Sequence, residues 1–91
     1  MSLTIRIPTQ LRTLTGGAGE VEVEAASVGE ALKALDAAHP GLADRLFDES
    51  GELRRFVNVF VADEDVRFLD GLATPIAEGQ TLSIVPAVAG G

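Results

Sequence analysis

The chain has 91 residues, fourteen acidic side chains against seven Lys and Arg, and a formal net charge of −7. A chain of that length makes one domain, and burying only roughly 60–65% of its unfolded surface leaves it a modest core. The absence of cysteine excludes a disulfide framework, a thiol nucleophile and, with His39 the lone histidine, a zinc site of the usual His/Cys kind, while the acidity speaks against nucleic acid and anionic membranes and for a basic protein partner.

Leu3, Ile5 and Ile7 alternate with Thr4 and Arg6, which predicts a half-buried strand over residues 3–8. Residues 15–19 read as a glycine-rich loop, and residues 20–24 alternate again with Val21 and Val23 inward, so the two strands predict a hairpin. Ser27 reads as a helix N-cap, and Glu30 three residues later completes a capping box. Val28, Ala31, Leu32 and Leu35 then fall on one apolar stripe, until His39-Pro40-Gly41 ends the helix. Residues 42–47 read as a short helical turn and 48–54 as a polar loop. Residues 55–61, rich in β-branched and aromatic side chains, make the strongest strand. An acidic turn at 62–65, a return strand at 66–68, an irregular stretch at 71–79 and a last strand at 81–85 follow, with Leu82 and Ile84 on one face and Pro86 closing it. One amphipathic helix must bury its stripe against one face of a small mixed sheet, an α+β domain over residues 1–86. No apolar run approaches the length of a membrane span and the N-terminus lacks a signal-peptide pattern, so a cytoplasmic location is expected.

Residues 87–91 read Ala87-Val88-Ala89-Gly90-Gly91 and suit no packed element. Glycines at a free terminus lose much entropy on ordering, so a mobile tail is expected. Fully extended, five residues reach roughly 17 Å, enough to enter a narrow active site on another protein. A terminal carboxyl, with a reference pKa of about 3.5, is ionised at neutral pH and is a poor electrophile. Activation as an acyl adenylate supplies a leaving group. Sulfide attack, or persulfide attack followed by reduction, then leaves a thiocarboxylate, which puts sulfur on the main-chain terminus of a cysteine-free protein.

The closing Pro86-Ala87-Val88-Ala89-Gly90-Gly91, placed after a strand, resembles the ubiquitin-like sulfur carriers of the ThiS/MoaD superfamily, which serve thiamine, molybdopterin and cysteine synthesis. Ile7-Pro8-Thr9, Leu11-Arg12, Arg55-Phe56-Val57-Asn58-Val59, Asp63-Glu64-Asp65-Val66-Arg67-Phe68 and Gly71-Leu72-Ala73-Thr74 look most like the cysteine-synthesis branch, the CysO type. The resemblance implies a β-grasp fold and a chain that is not itself an enzyme. It implies that an E1-like enzyme adenylates Gly91 with ATP, while Ala87, Val88, Ala89 and Gly90 enter the partner's active site. It implies a downstream sulfur-accepting synthase, in the cysteine branch one using pyridoxal phosphate, and a metal-dependent protease that releases cysteine. Those cofactors belong to the partners; none is expected on this chain.

Blander readings suit the other motifs. Residues 16–19 make a hairpin turn better than a phosphate loop, since the next strand is acidic. Asp63-Glu64-Asp65 lacks the spacing of a calcium loop and reads as a solvated turn. His39 reads as a helix-end residue, with no partner to make it a base. Phe56 and Phe60 face away from Val57, Val59 and Val61, and two readings stand: they pack beneath residues 42–47, or Phe60 joins Val85 and Pro86 in an apolar patch that docks on partners. Alternative functions are a protein modifier attached through Gly91, the small subunit of a molybdopterin-synthase-like complex, and a binding module with an inert tail.

Overall fold

The computed structural model describes residues 2–54 and 57–86. Strands β1 (Ser2–Arg6) and β2 (Glu20–Glu24) pair antiparallel, with Leu3 opposite Val23 and Ile5 opposite Val21. Their connection is longer than a glycine turn. Thr9–Thr15 winds as a 3-10 helix that buries Leu11 and stops at Gly16, where φ of 68° demands the left-handed conformation glycine adopts without strain.

Helix α1 (Val28–Ala38) begins where the capping box predicts. Ser27 is extended and its Oγ accepts from the Glu30 N–H at 3.3 Å. The Glu30 carboxylate reaches back to the Ala26 N–H at 3.0 Å, one residue outside the usual reciprocal partner. Val28, Ala31, Leu32 and Leu35 are all fully buried. The short helix α2 (Leu42–Leu46) is started by a residue of α1: Asp36 Oδ1 accepts from the N–H groups of Gly41 and Ala43, at 3.2 and 2.9 Å. Its Leu42 and Leu46 join the same core.

Strands β3 (Val57–Val61) and β4 (Glu64–Asp65) form a hairpin with Phe60 opposite Asp65 and Val61 opposite Glu64. Only Ala62 and Asp63 lie in the turn, at φ of 51° and 71°. The return strand expected at 66–68 is therefore misplaced: Val66–Phe68 is a 3-10 turn, and the pairing ends at Asp65. The tight turn starts the pairing at once, and the Asp65 carboxylate then accepts from the Arg67 N–H at 2.8 Å, turning the chain inward on buried Val66. The stretch 71–79 is largely irregular, with one 3-10 turn at Gly71–Ala73. It is tied to the start of α1 by the Val28 N–H donating to the Thr74 carbonyl at 3.0 Å and the Ile76 N–H to that of Ala26 at 3.0 Å.

Strand β5 (Thr81–Pro86) runs parallel to β1 and antiparallel to β3, giving the sheet order β2-β1-β5-β3-β4. This is the β-grasp arrangement. One face carries Leu3, Ile5, Val23, Val57, Val59, Val61, Leu82 and Ile84, packed with both helices into one core. Each buried Leu, Ile or Val there contributes about 1.5–3 kcal/mol. Among the described residues no helix is long and apolar enough to cross a membrane.

Candidate functional site

The tail expected from the sequence follows directly on Pro86, the last residue of the central strand β5, which is therefore the exit strand of that reading. Pro86 holds the last register position of β5, opposite Val57, and Val85 lies opposite Asn58. Strand alternation puts Val85 and Ser83 on the face away from the helices, together with Asn58 and Phe60. On that outer face Glu20, Arg6, Ser83, Phe60 and Asp65 occupy one row across all five strands. Phe60 is half-buried and stands outside the core cluster, while Val85 is 44% exposed. The two are diagonal neighbours on adjacent strands, within reach of one another's side chains. The reading that tucks Phe60 beneath residues 42–47 fails, because α2 sends Leu42 and Leu46 into the core on the opposite side of the sheet. Phe56, and Ala87, Val88, Ala89, Gly90 and Gly91 of the tail, lie outside the described residues.

Guanidinium groups flank the exit strand on both sides. Towards β1, a cleft of about 590 Å³ is lined by Arg6, Pro8, Arg12, Glu20, Ser83 and Val85. Arg12 Nε donates to the Ile7 carbonyl at 3.1 Å, and its guanidinium carbon lies 3.3 Å from where a Cβ on Gly19 would stand. Any side chain at Gly19 would displace that arginine. Towards β3, Arg67 Nη1 donates to Asn58 Oδ1 at 2.7 Å and Nη2 to the Arg54 carbonyl at 2.9 Å. A chain of net charge −7 thus places cations on both sides of its central strand.

No group of three or more His, Cys, Asp and Glu among the described residues could hold a metal ion. His39 ends α1, its N–H donating to the Leu35 carbonyl. Asp48 is held below the usual 3.8 by the Ser50 hydroxyl and by the N–H groups of Glu52 and Ser50, with a lesser pull from Arg54. It sits fully exposed in the 48–53 loop, where this carboxylate organises a turn. Sequence reading missed the two anchored arginines: Arg12 is held by a backbone carbonyl five residues back, which no residue type marks, and Arg67 by Asn58 and Arg54, nine and thirteen residues back; the one local signal was Asp65 two residues before Arg67, an Asx-turn spacing.

A family model described as the ThiS family matches residues 5–91. The chain belongs to the ThiS family. The sulfur carrier protein CysO of Mycobacterium tuberculosis is 50% identical over 93 aligned positions, covering all of both chains. A chain in the crystal structure of the Amycolatopsis orientalis BexX/CysO complex superposes with a TM-score of 0.92 at 49% identity, covering 98% of this chain and 99% of that one. The small archaeal modifier protein 1 of Haloferax volcanii superposes with a TM-score of 0.83 at 32% identity, covering 96% of this chain and 98% of that one. The β-grasp expectation holds. With a sulfur carrier protein half identical over the full length of both chains, a sulfur carrier role follows for the ThiS-family chain.

Proposed function

We propose that this carrier works through the carboxylate of Gly91. An E1-like enzyme transfers AMP from ATP to that carboxylate and releases pyrophosphate. Sulfide, or a persulfide followed by reduction, attacks the acyl carbon and expels AMP, leaving a thiocarboxylate. The thiocarboxylate then hands its sulfur to a biosynthetic synthase, with cysteine or another sulfur metabolite as product. Residues 87–90 are the arm that enters each partner's active site, and Phe60, Val85 and Pro86 form the docking patch at its root. ATP and any pyridoxal phosphate belong to the partner enzymes, as does the metal of a protease that would release the product.

The observation that carries this reading is the 50% identity to a sulfur carrier across the full length of both chains. The outer sheet face, with Phe60 and Val85 beside the exit strand, supports docking there. The modifier alternative draws support from the archaeal modifier proteins, and it uses the same adenylate with a lysine amine as nucleophile.

Intact-protein mass spectrometry tests the proposal. The chain is incubated with ATP, sulfide and the adenylating enzyme of the same organism, beside a copy lacking Gly91. A gain equal to one oxygen replaced by sulfur, confined to the C-terminal peptide and absent from the truncated copy, is expected. No gain, with the enzyme active on another carrier, refutes the thiocarboxylate.

A further inference from the structure

Phe68 is 85% exposed, more than any other large hydrophobic residue among those described, and Leu69 beside it is 40% exposed. This aromatic is not on a loose loop. The turn is fixed from below by fully buried Val66, closed by the Leu69 N–H donating to the Val66 carbonyl at 2.9 Å, and capped by Asp65 on the Arg67 N–H. Arg67 adds two side-chain bonds, to Asn58 and to the Arg54 carbonyl. A solvent-facing aromatic on a fixed backbone turn, next to an immobilised arginine, is the composition of an interface anchor, since little backbone or arginine freedom is left to lose on binding.

Two observations say what it meets. Asn58, which holds Arg67, lies opposite Val85, one residue before the end of the exit strand. A protein that draws in the tail at Pro86 therefore also meets the frame that holds Arg67, the residue directly before Phe68. The two guanidinium bonds of Arg67 go to neutral oxygens, while the Asp65 carboxylate is turned to a backbone N–H. The arginine is positioned without its charge being cancelled by either acceptor, which fits a carboxylate on the other side.

We propose that Phe68 and Arg67 form a second docking knob, separate from the Phe60 patch, that enters an apolar socket edged by carboxylates on the enzyme that adenylates the tail. This rests on the carrier reading above. Phe68 contributes little to the fold, so its removal separates docking from stability.

The test measures KM and kcat for thiocarboxylate formation with the adenylating enzyme of the same organism, ATP and sulfide. Phe68→Ser raises KM for the carrier about tenfold or more, with kcat at saturation and the urea midpoint unchanged. Phe68→Leu, which keeps an apolar side chain, recovers most of the loss. A KM for Phe68→Ser within twofold of wild type overturns the knob and leaves the carrier intact, Phe68 then being a solitary surface aromatic. Failure of the wild-type chain to gain sulfur removes the carrier reading and this docking with it.

Discussion

Phe60→Asp separates the proposed docking role of the outer face from the stability of the sheet. Phe60 is half-buried, so its truncation forfeits about half of the 1.5–3 kcal/mol of a fully buried side chain, roughly 1 kcal/mol. The aspartate variant adds a second term, because position 60 lies directly opposite Asp65, and like charges facing across strands cost about 0.2–1 kcal/mol. Phe60→Ser should therefore lose about 1 kcal/mol and Phe60→Asp about 1–2 kcal/mol, against about 5–15 kcal/mol for a domain of this kind. Both remain folded at 25 °C, and each kcal/mol lowers Tm by about 4–8 °C. The extra loss in Phe60→Asp should vanish when Asp65→Asn is added. Docking should suffer more: loss of a central aromatic contact costs about 2 kcal/mol, close to thirtyfold in affinity. Urea unfolding reads the first quantity and KM for thiocarboxylate formation reads the second. A KM for Phe60→Asp within twofold of wild type, with the stability loss observed, would refute docking through this face.

Three further outcomes follow from the local geometry. Ser27→Ala removes the hydroxyl that accepts from Glu30, and should cost about 1 kcal/mol and lower Tm by about 4–8 °C by calorimetry; no shift would mean that the backbone alone caps α1. Replacing Ala62-Asp63 with Asn-Gly puts residues that tolerate positive φ into a turn where both positions now hold it, and should raise Tm by a few degrees; a lower Tm would contradict strain at these two residues. Asp48 has a folded pKa below its ordinary value, so its contribution to stability is present above about pH 4 and is lost as pH falls through the depressed value. Carboxyl NMR should show Asp48 titrating below 3.8, and Ser50→Ala should move it back up, since the Ser50 hydroxyl at 2.6 Å is the largest cause; an unmoved midpoint would assign the effect to the backbone donors.

Local pattern carried most of the fold into view. The alternation of Leu3 and Ile5, and of Val21 and Val23, names the inward face of β1 and β2 because a strand has a period of two. The stripe from Val28 to Leu35 and the Ser27–Glu30 cap locate α1, since both depend on residues three or four apart. The return strand was set too late, because Val66 and Phe68 imitate an alternating pair while a two-residue turn had already placed Glu64 and Asp65 in the pairing. The expectation of a tail at Gly90 and Gly91 rests on composition alone and concerns positions outside the described residues.

What only the tertiary structure decided is non-local. Insertion of β5 between β1 and β3 sets strands in contact that are separated by most of the chain, and no local periodicity encodes that order. That insertion puts Phe60 and Val85 on one face beside the exit strand. The start of α2 rests on Asp36 reaching across to Ala43, and the setting of Arg67 rests on Asn58 and Arg54, nine and thirteen residues away. Phe68 had the composition of a core residue and stands in water, because the turn that buries Val66 directs its neighbour outward. Side-chain type and spacing determine which segments become strands and helices; which of their apolar groups remain for another protein depends on how those segments close against one another.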